Sequence, residues 1–194
     1  TDSFASVDAQ AITVAPNILP ICIAVLPTPP LAPKTSNVSP AFNFARYFNA
    51  KHAVMTNSGS SANLIMTAAL FYTKNPKLRL VAGDEILVPA VAWSTTYSPL
   101  YQYGLKLRFV DIDQKTLNYD IDAVRTAISP KTRAIMVVNL LGNPNDFIEL
   151  QAIASENDII MIEDNCESMG ATFNNKQAVD EFSVVVSYED IQAK

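Results

Sequence analysis

Glycine is scarce in this chain, five residues in 194, and cysteine, histidine and tryptophan are scarcer still, at two, one and one. Each shortage excludes something. Cys22 and Cys166 stand far apart and form neither a disulfide framework nor a CxxC metal pair, so a reducing, cytoplasmic setting and no metal site are expected. The formal charge is −5 and no long run of Lys or Arg occurs, which leaves nucleic acid no electrostatic footprint to follow. Long hydrophobic runs are missing too: Ile18 to Leu26 is broken by Pro20 and is far shorter than the roughly 20 residues of a spanning helix, so no membrane anchor is expected. No basic residue precedes Lys34, so the start does not read as a signal peptide. Neither GxxxxGKS/T nor GxGxxG is present, which removes the two commonest nucleotide-binding signatures.

What the chain does have is uneven. Hydrophobic residues make up 49% and charged residues 17%, a globular composition with length for one domain and a short extension. Seven of the twelve prolines fall within residues 1–40, four of them in PTPPLAP at 27–33, and no glycine does. That stretch reads as an arm or linker. The glycines lie between Gly59 and Gly170, and there the pattern alternates. Ala41, Phe44, Ala45 and Phe48 recur at helical spacing, AVM at 53–55 is a short strand, and SANLIMTAALFYT from Ser61 is a helix with a crowded apolar face. EILVP at 85–89 is a buried strand, Trp93 to Tyr103 a helix closed by Gly104, and LKLRFVDI at 105–112 the next strand. Helices at 121–128 and 146–157 alternate with strands at 134–140 and 159–164. Continuous apolar strands separated by helices predict an α/β fold, a mostly parallel sheet covered by helices on both faces.

Ligands on such sheets bind beyond the carboxyl ends of the strands. One strand end carries TNSGSSAN, a glycine among three serines at the start of a helix. The unpaired N–H groups of a first helical turn stabilise a phosphate, glycine lets it approach, and serine hydroxyls add donors; the same residues also make an ordinary N-cap. Asp164 closes the strand IIMIED, where it either faces a ligand or caps the segment NCESMG. Trp93 follows EILVP and is either a platform for a planar ring or a core aromatic. Taken together, a phosphate cradle, an aromatic platform and a carboxylate able to hold a heteroaromatic nitrogen protonated describe a pyridoxal phosphate pocket.

The segment 41–178 resembles the DegT/DnrJ/StrS family of sugar aminotransferases, which has the aspartate aminotransferase fold. The stretches that carry the likeness are FARYFNAKHAVMTNSGSSANL, GDEILVPAVAWSTT, FVDIDQKTLNYDID, AISPKTRAIMVVNLLGNPND and IEDNCESMGATFNNKQA, in family order. NSGSSANL, LLGNPND and IEDNCESMGA look most like the nucleotide-sugar 3-dehydratases and their aminotransferase relatives. The resemblance implies part of a PLP-dependent transferase large domain, with pyridoxal or pyridoxamine phosphate as cofactor. It implies nucleotide-linked keto sugars of lipopolysaccharide or deoxysugar biosynthesis as substrates and a homodimeric assembly. By the same resemblance Gly59 and Ser60 bind the cofactor phosphate, Trp93 stacks on its ring, Asp164 pairs with the ring nitrogen, and Glu167 lies near the 3-hydroxyl.

Residues 179–194 depart from the pattern. The family's base, a Lys in aminotransferases and a His in dehydratases, has no clear counterpart, so the catalytic residue is unknown. Lys194 stands at a comparable distance after Phe182 with unmatched neighbours, Lys176 lies in the turn NNK, and His52 precedes AVM at the wrong end of the sheet. Two expectations result: a fragment of such an enzyme, or a non-catalytic remnant that binds PLP or phosphate weakly or assembles with a full-length partner.

Overall fold

The structure is a computed structural model, and it describes residues 10–13, 21–25, 52–168, 172–173 and 176–177. Three strands, β1 (Gln10–Thr13), β2 (Ile21–Val25) and β3 (His52–Thr56), form one sheet, with β1 antiparallel and β3 parallel to the central β2. Two of these strands fall within the Pro-rich stretch 1–40. The helical spacing noted at 41–48 and the tail 179–194 lie outside the described residues.

The main sheet has four parallel strands in the order β5-β4-β6-β7, formed by β4 (Glu85–Pro89), β5 (Lys106–Val110), β6 (Thr132–Val138) and β7 (Ile160–Asp164). The helices are α1 (Gly59–Tyr72), α2 (Ser94–Gln102), α3 (Ile121–Ala127) and α4 (Phe147–Asn157). The expected alternation is present, and the side-chain parity of the strands explains its unbroken apolar runs. Ile86, Val88, Ala134, Met136, Val138, Ile160 and Ile162 join Met66 and Leu70 of α1 and Leu100 of α2 in one core. Leu87, Ile135, Val137 and Met161 point the other way and join Val124 of α3 and Phe147, Leu150 and Ile153 of α4 in a second. A sheet with a core on each face has no room for polar alternation. β5, at an edge of this sheet, keeps Lys106, Arg108 and Phe109 exposed.

Local chemistry fixes the boundaries. Gly104, at φ +78, sits in the left-handed region and ends α2: its N–H reaches Tyr101 C=O at 2.9 Å and that of Leu105 reaches Leu100 C=O at 3.2 Å, the paired bonds of a Schellman cap. α3 and α4 start on aspartates, with Asp120 accepting from Ala123 N–H at 3.1 Å and Asp146 from Glu149 N–H at 3.2 Å. β6 stops at Val138, two residues before the expected end, because the chain turns there into a 3₁₀ segment (Leu140–Gly142) in which Leu141 has φ 55. Beyond β7, β8 (Thr172–Phe173) pairs antiparallel with β9 (Lys176–Gln177). No helix among the described residues is long and apolar enough to cross a membrane.

The strand order places the site. The chain steps from β4 outward to β5, then returns across β4 to β6, so the order reverses between β4 and β6. The loops leaving these two strands diverge there, and a crevice at such a point is where open α/β sheets bind ligands.

Candidate functional site

Parity at the end of β7 decides which way its two acids point. Asp164 shares the side of Ile160 and Ile162 and faces α1 and α2, whereas Glu163 shares the side of Met161 and faces the turn after β6. Asp164, 2% exposed, accepts from Asn63 Nδ2 of α1 at 2.9 Å and from Thr96 Oγ1 of α2 at 2.8 Å, both through Oδ2. These are charge-assisted bonds that tie one strand to two helices.

Asn63 is aimed by a defect in α2. Pro99 lies inside that helix and has no N–H to give Thr95 C=O one turn earlier; Asn63 Nδ2 donates to that carbonyl at 3.3 Å while also serving Asp164. The amide thus satisfies a backbone acceptor that the proline leaves open.

At the other end of its first turn, α1 begins with Ser58 as N-cap. Ser58 Oγ accepts from Ser61 N–H at 3.1 Å and donates to Ser61 Oγ at 3.0 Å, and the first helical bond runs from Ala62 N–H to Ser58 C=O at 2.9 Å. The N–H groups of buried Gly59 and half-buried Ser60 make no such bond among the described residues. Ser58 therefore occupies one N–H of the first turn, and the two before it stand at the positive end of the helix dipole.

Trp93 follows β4 and is 57% exposed, which rules out the core-aromatic reading. Its indole Nε1–H donates to Glu167 Oε1 at 3.1 Å, and Glu167 Oε2 accepts from Leu141 N–H at 2.6 Å. Two residues singled out in the sequence, 74 positions apart, are in direct contact.

Glu163, on the opposite face of β7, is 1% exposed. Its Oε1 accepts from Asn139 Nδ2, and Oε2 has no partner among the described residues. Burial pushes its carboxyl up to about 8; the Asn139 bond pulls the other way and the charge of neighbouring Asp164 adds to the rise.

Asp164 is linked through Asn63 to α1, the helix that Gly59 and Ser60 begin, and Trp93 is linked to Glu167 directly. Lys194 lies outside the described residues, as do the side chains of His52 and Lys176. The described lysines 74, 77, 106, 115 and 131 are exposed; Lys106 and Lys131 stand at the opposite, amino ends of β5 and β6, and Lys74 and Lys77 follow the far end of α1. No cluster of metal-ligating side chains occurs among the described residues. Asn63, Thr96, Leu141 and Glu163 were not singled out in the sequence, whereas Asn139 stood among the residues expected directly after a strand. Asn63 and Thr96 lie inside the quoted NSGSSANL and AWSTT, and the proline four residues after Thr95 was the available signal for the open carbonyl.

The family model for the DegT/DnrJ/EryC1/StrS aminotransferases matches residues 39–187. The chain belongs to this family. Among curated relatives, the GDP-4-keto-6-deoxy-D-mannose 3-dehydratase of Yersinia pseudotuberculosis is 62% identical over 136 residues, covering 70% of this chain and 34% of the relative. The dTDP-4-dehydro-2,6-dideoxy-D-glucose 3-dehydratase of Saccharopolyspora spinosa is 41% identical over 133 residues, covering 69% and 29%. The solved E. coli GDP-4-keto-6-deoxy-D-mannose-3-dehydratase with bound hydrated PLP superposes with a TM-score of 0.65 at 62% identity, covering 69% of this chain and 34% of that one. Against these relatives the family segment spans about a third of a full length, and its sheet and helices share their fold.

Proposed function

We propose that this chain carries the cofactor-binding part of a PLP-dependent nucleotide-sugar enzyme, and that the whole enzyme is a 3-dehydratase acting on a GDP-linked 4-keto-6-deoxy sugar. The observation that carries the reading is the buried Asp164 carboxylate, held by Asn63 near the start of α1 and by Thr96 of α2. A carboxylate acceptor, two helix N–H donors and an exposed indole are the groups that a phosphorylated pyridinium requires: a partner for the ring nitrogen, a seat for the phosphate and a face for the ring.

In this reading Gly59 and Ser60 hold the phosphate through their N–H groups, with the Ser60 hydroxyl as a further donor. Trp93 lies against the ring, Asp164 keeps the ring nitrogen protonated, and Glu167 faces the 3-hydroxyl while holding the Trp93 indole. Pyridoxal or pyridoxamine phosphate, when bound, would supply an electron sink for charge that develops at its exocyclic 4′ carbon. What this chain's residues contribute is orientation, and Asp164 contributes the charge that keeps the sink effective. Dehydration takes precedence over amine transfer because the relatives at 62% and 41% identity are 3-dehydratases. The domain reading is residues 41–178 as part of the large domain, flanked by 1–40 and 179–194, with assembly as a homodimer.

A second reading, a pocket that binds without turning over, is favoured by the sequence of residues 179–194, in which the family's Lys or His base has no clear counterpart. Titrating the chain with pyridoxamine phosphate while following Trp93 emission tests both. Saturable quenching that is lost in Asp164→Ala supports the pocket; adding a GDP-linked 4-keto-6-deoxy sugar then separates turnover from binding alone. No saturable quenching at millimolar ligand refutes both readings.

A further inference from the structure

The turn from Asn139 to Asn145 is closed at its base by side-chain amides. Asn139 Oδ1 accepts from Asn145 N–H at 3.1 Å and from Asn145 Nδ2 at 3.0 Å, and Asn145 Nδ2 also donates to Val138 C=O at 2.8 Å. At its apex the turn meets Glu167 twice. Leu141 N–H donates to the Glu167 carboxylate at 2.6 Å, and Gly142 packs so closely that a Cβ there would lie 3.2 Å from the Glu167 backbone oxygen. An asparagine amide can face either way, and its orientation is fixed by the partner of each end. Asn139 presents its oxygen to Asn145 because its nitrogen is taken by Glu163.

We propose that Glu163 is a positioning residue for the Trp93–Glu167 pair: by accepting from Asn139 it sets how the Asn139–Asn145 turn closes, and the turn's apex then holds the Glu167 carboxylate beside the indole. An apolar side chain would pack at this fully buried place without the cost of burying a carboxyl; what Glu163 adds is the acceptor. The raised carboxyl keeps Glu163 neutral near pH 7, so it brings no second negative charge beside Asp164. The proposal rests on the reading that Trp93 and Glu167 line the cofactor site, but its test needs no cofactor.

Trp93 is the sole tryptophan, so the nitrogen-15-labelled full chain gives one indole N–H cross-peak. Glu167→Ala defines its position with the pair broken. Glu163→Gln, which keeps an acceptor for Asn139, is expected to leave the peak within a linewidth of wild type. Glu163→Met, similar in length but without the acceptor, is expected to move it at least halfway toward the Glu167→Ala position in an otherwise dispersed spectrum. The proposal is overturned if Glu163→Met leaves the peak in place, or if Glu163→Gln moves it as far as Glu163→Met does. It is equally overturned if Glu163→Met loses the dispersed spectrum, because the residue would then be required by the fold and not by the pair. Failure of the chain to bind pyridoxamine phosphate would count against the proposed function and leave this result standing.

Discussion

Glu163 makes stability depend on pH in the direction opposite to most carboxylates. Its carboxyl holds its proton up to about 8 in the folded chain, against 4.5 for an ordinary glutamate. Between those values the folded state binds the proton and the unfolded state has released it, so stability is fully present below pH 4.5 and falls as pH rises toward 8. At about 1.4 kcal/mol per unit, the window is worth up to about 5 kcal/mol. Glu163→Gln removes the titration and keeps the acceptor for Asn139. The expected result is a variant within about 1 kcal/mol of wild type at pH 5 and more stable by several kcal/mol at pH 8, since neutral hydrogen bonds are worth about 1 kcal/mol each and the proton linkage is larger. Urea unfolding of both proteins, followed by circular dichroism at half-unit steps from pH 5 to 8.5, measures the difference. Groups that are not coupled to Glu163 titrate in both proteins alike and cancel, and the one charge that is coupled to it, that of Asp164, acts in the same direction as burial. Parallel stability curves would refute the reasoning, because they would mean that Glu163 ionises at the same pH folded and unfolded.

Three further outcomes are expected from the site and its scaffold. Asp164→Ala strips Asn63 and Thr96 of their shared acceptor and is expected to lower stability by about 2–4 kcal/mol and weaken pyridoxamine phosphate binding at least tenfold, read by urea unfolding and Trp93 quenching. Ser58→Ala removes the acceptor of Ser61 N–H and should cost about 1 kcal/mol, with a lower melting temperature and little change in the Trp93 spectrum. Gly104→Ala places a Cβ at φ +78 and 3.1 Å from Ala82 Cβ, and is expected to destabilise by about 1–2 kcal/mol in the same unfolding assay.

The core strands were legible in the sequence because a sheet covered on both faces leaves them continuously apolar; EILVP at 85–89 is the strand the structure contains, residue for residue. Caps were legible where one residue type does the work, as at Gly104. Boundaries were less so: the helix after TNSGSSAN begins at Gly59 and not Ser61, since Ser58 reaches forward to cap it. Strand-end position brought out Asp164 and Trp93, and the family resemblance brought out Glu167, but none of these names the groups that hold them. Asn63 is polar on the buried face of a helix, where periodicity expects an apolar residue, and its purpose depends on a proline 36 positions later and an aspartate 101 positions later. Glu163 and Asp164 are adjacent letters whose side chains go to opposite faces. Their difference lies in strand parity, which needs the sheet register and the helices on each side.

The central claim is that the carboxyl end of this sheet seats a pyridine ring and its phosphate. The most direct measurement is a crystal structure of the chain soaked with pyridoxamine phosphate, which lacks the aldehyde that would attach it to surface lysines. The account predicts the phosphate on the N–H groups of Gly59 and Ser60, the ring against Trp93, and the ring nitrogen in hydrogen-bond contact with Asp164. A ligand bound elsewhere, or a structure in which Asp164 makes no contact with the ring at saturating ligand, would contradict it.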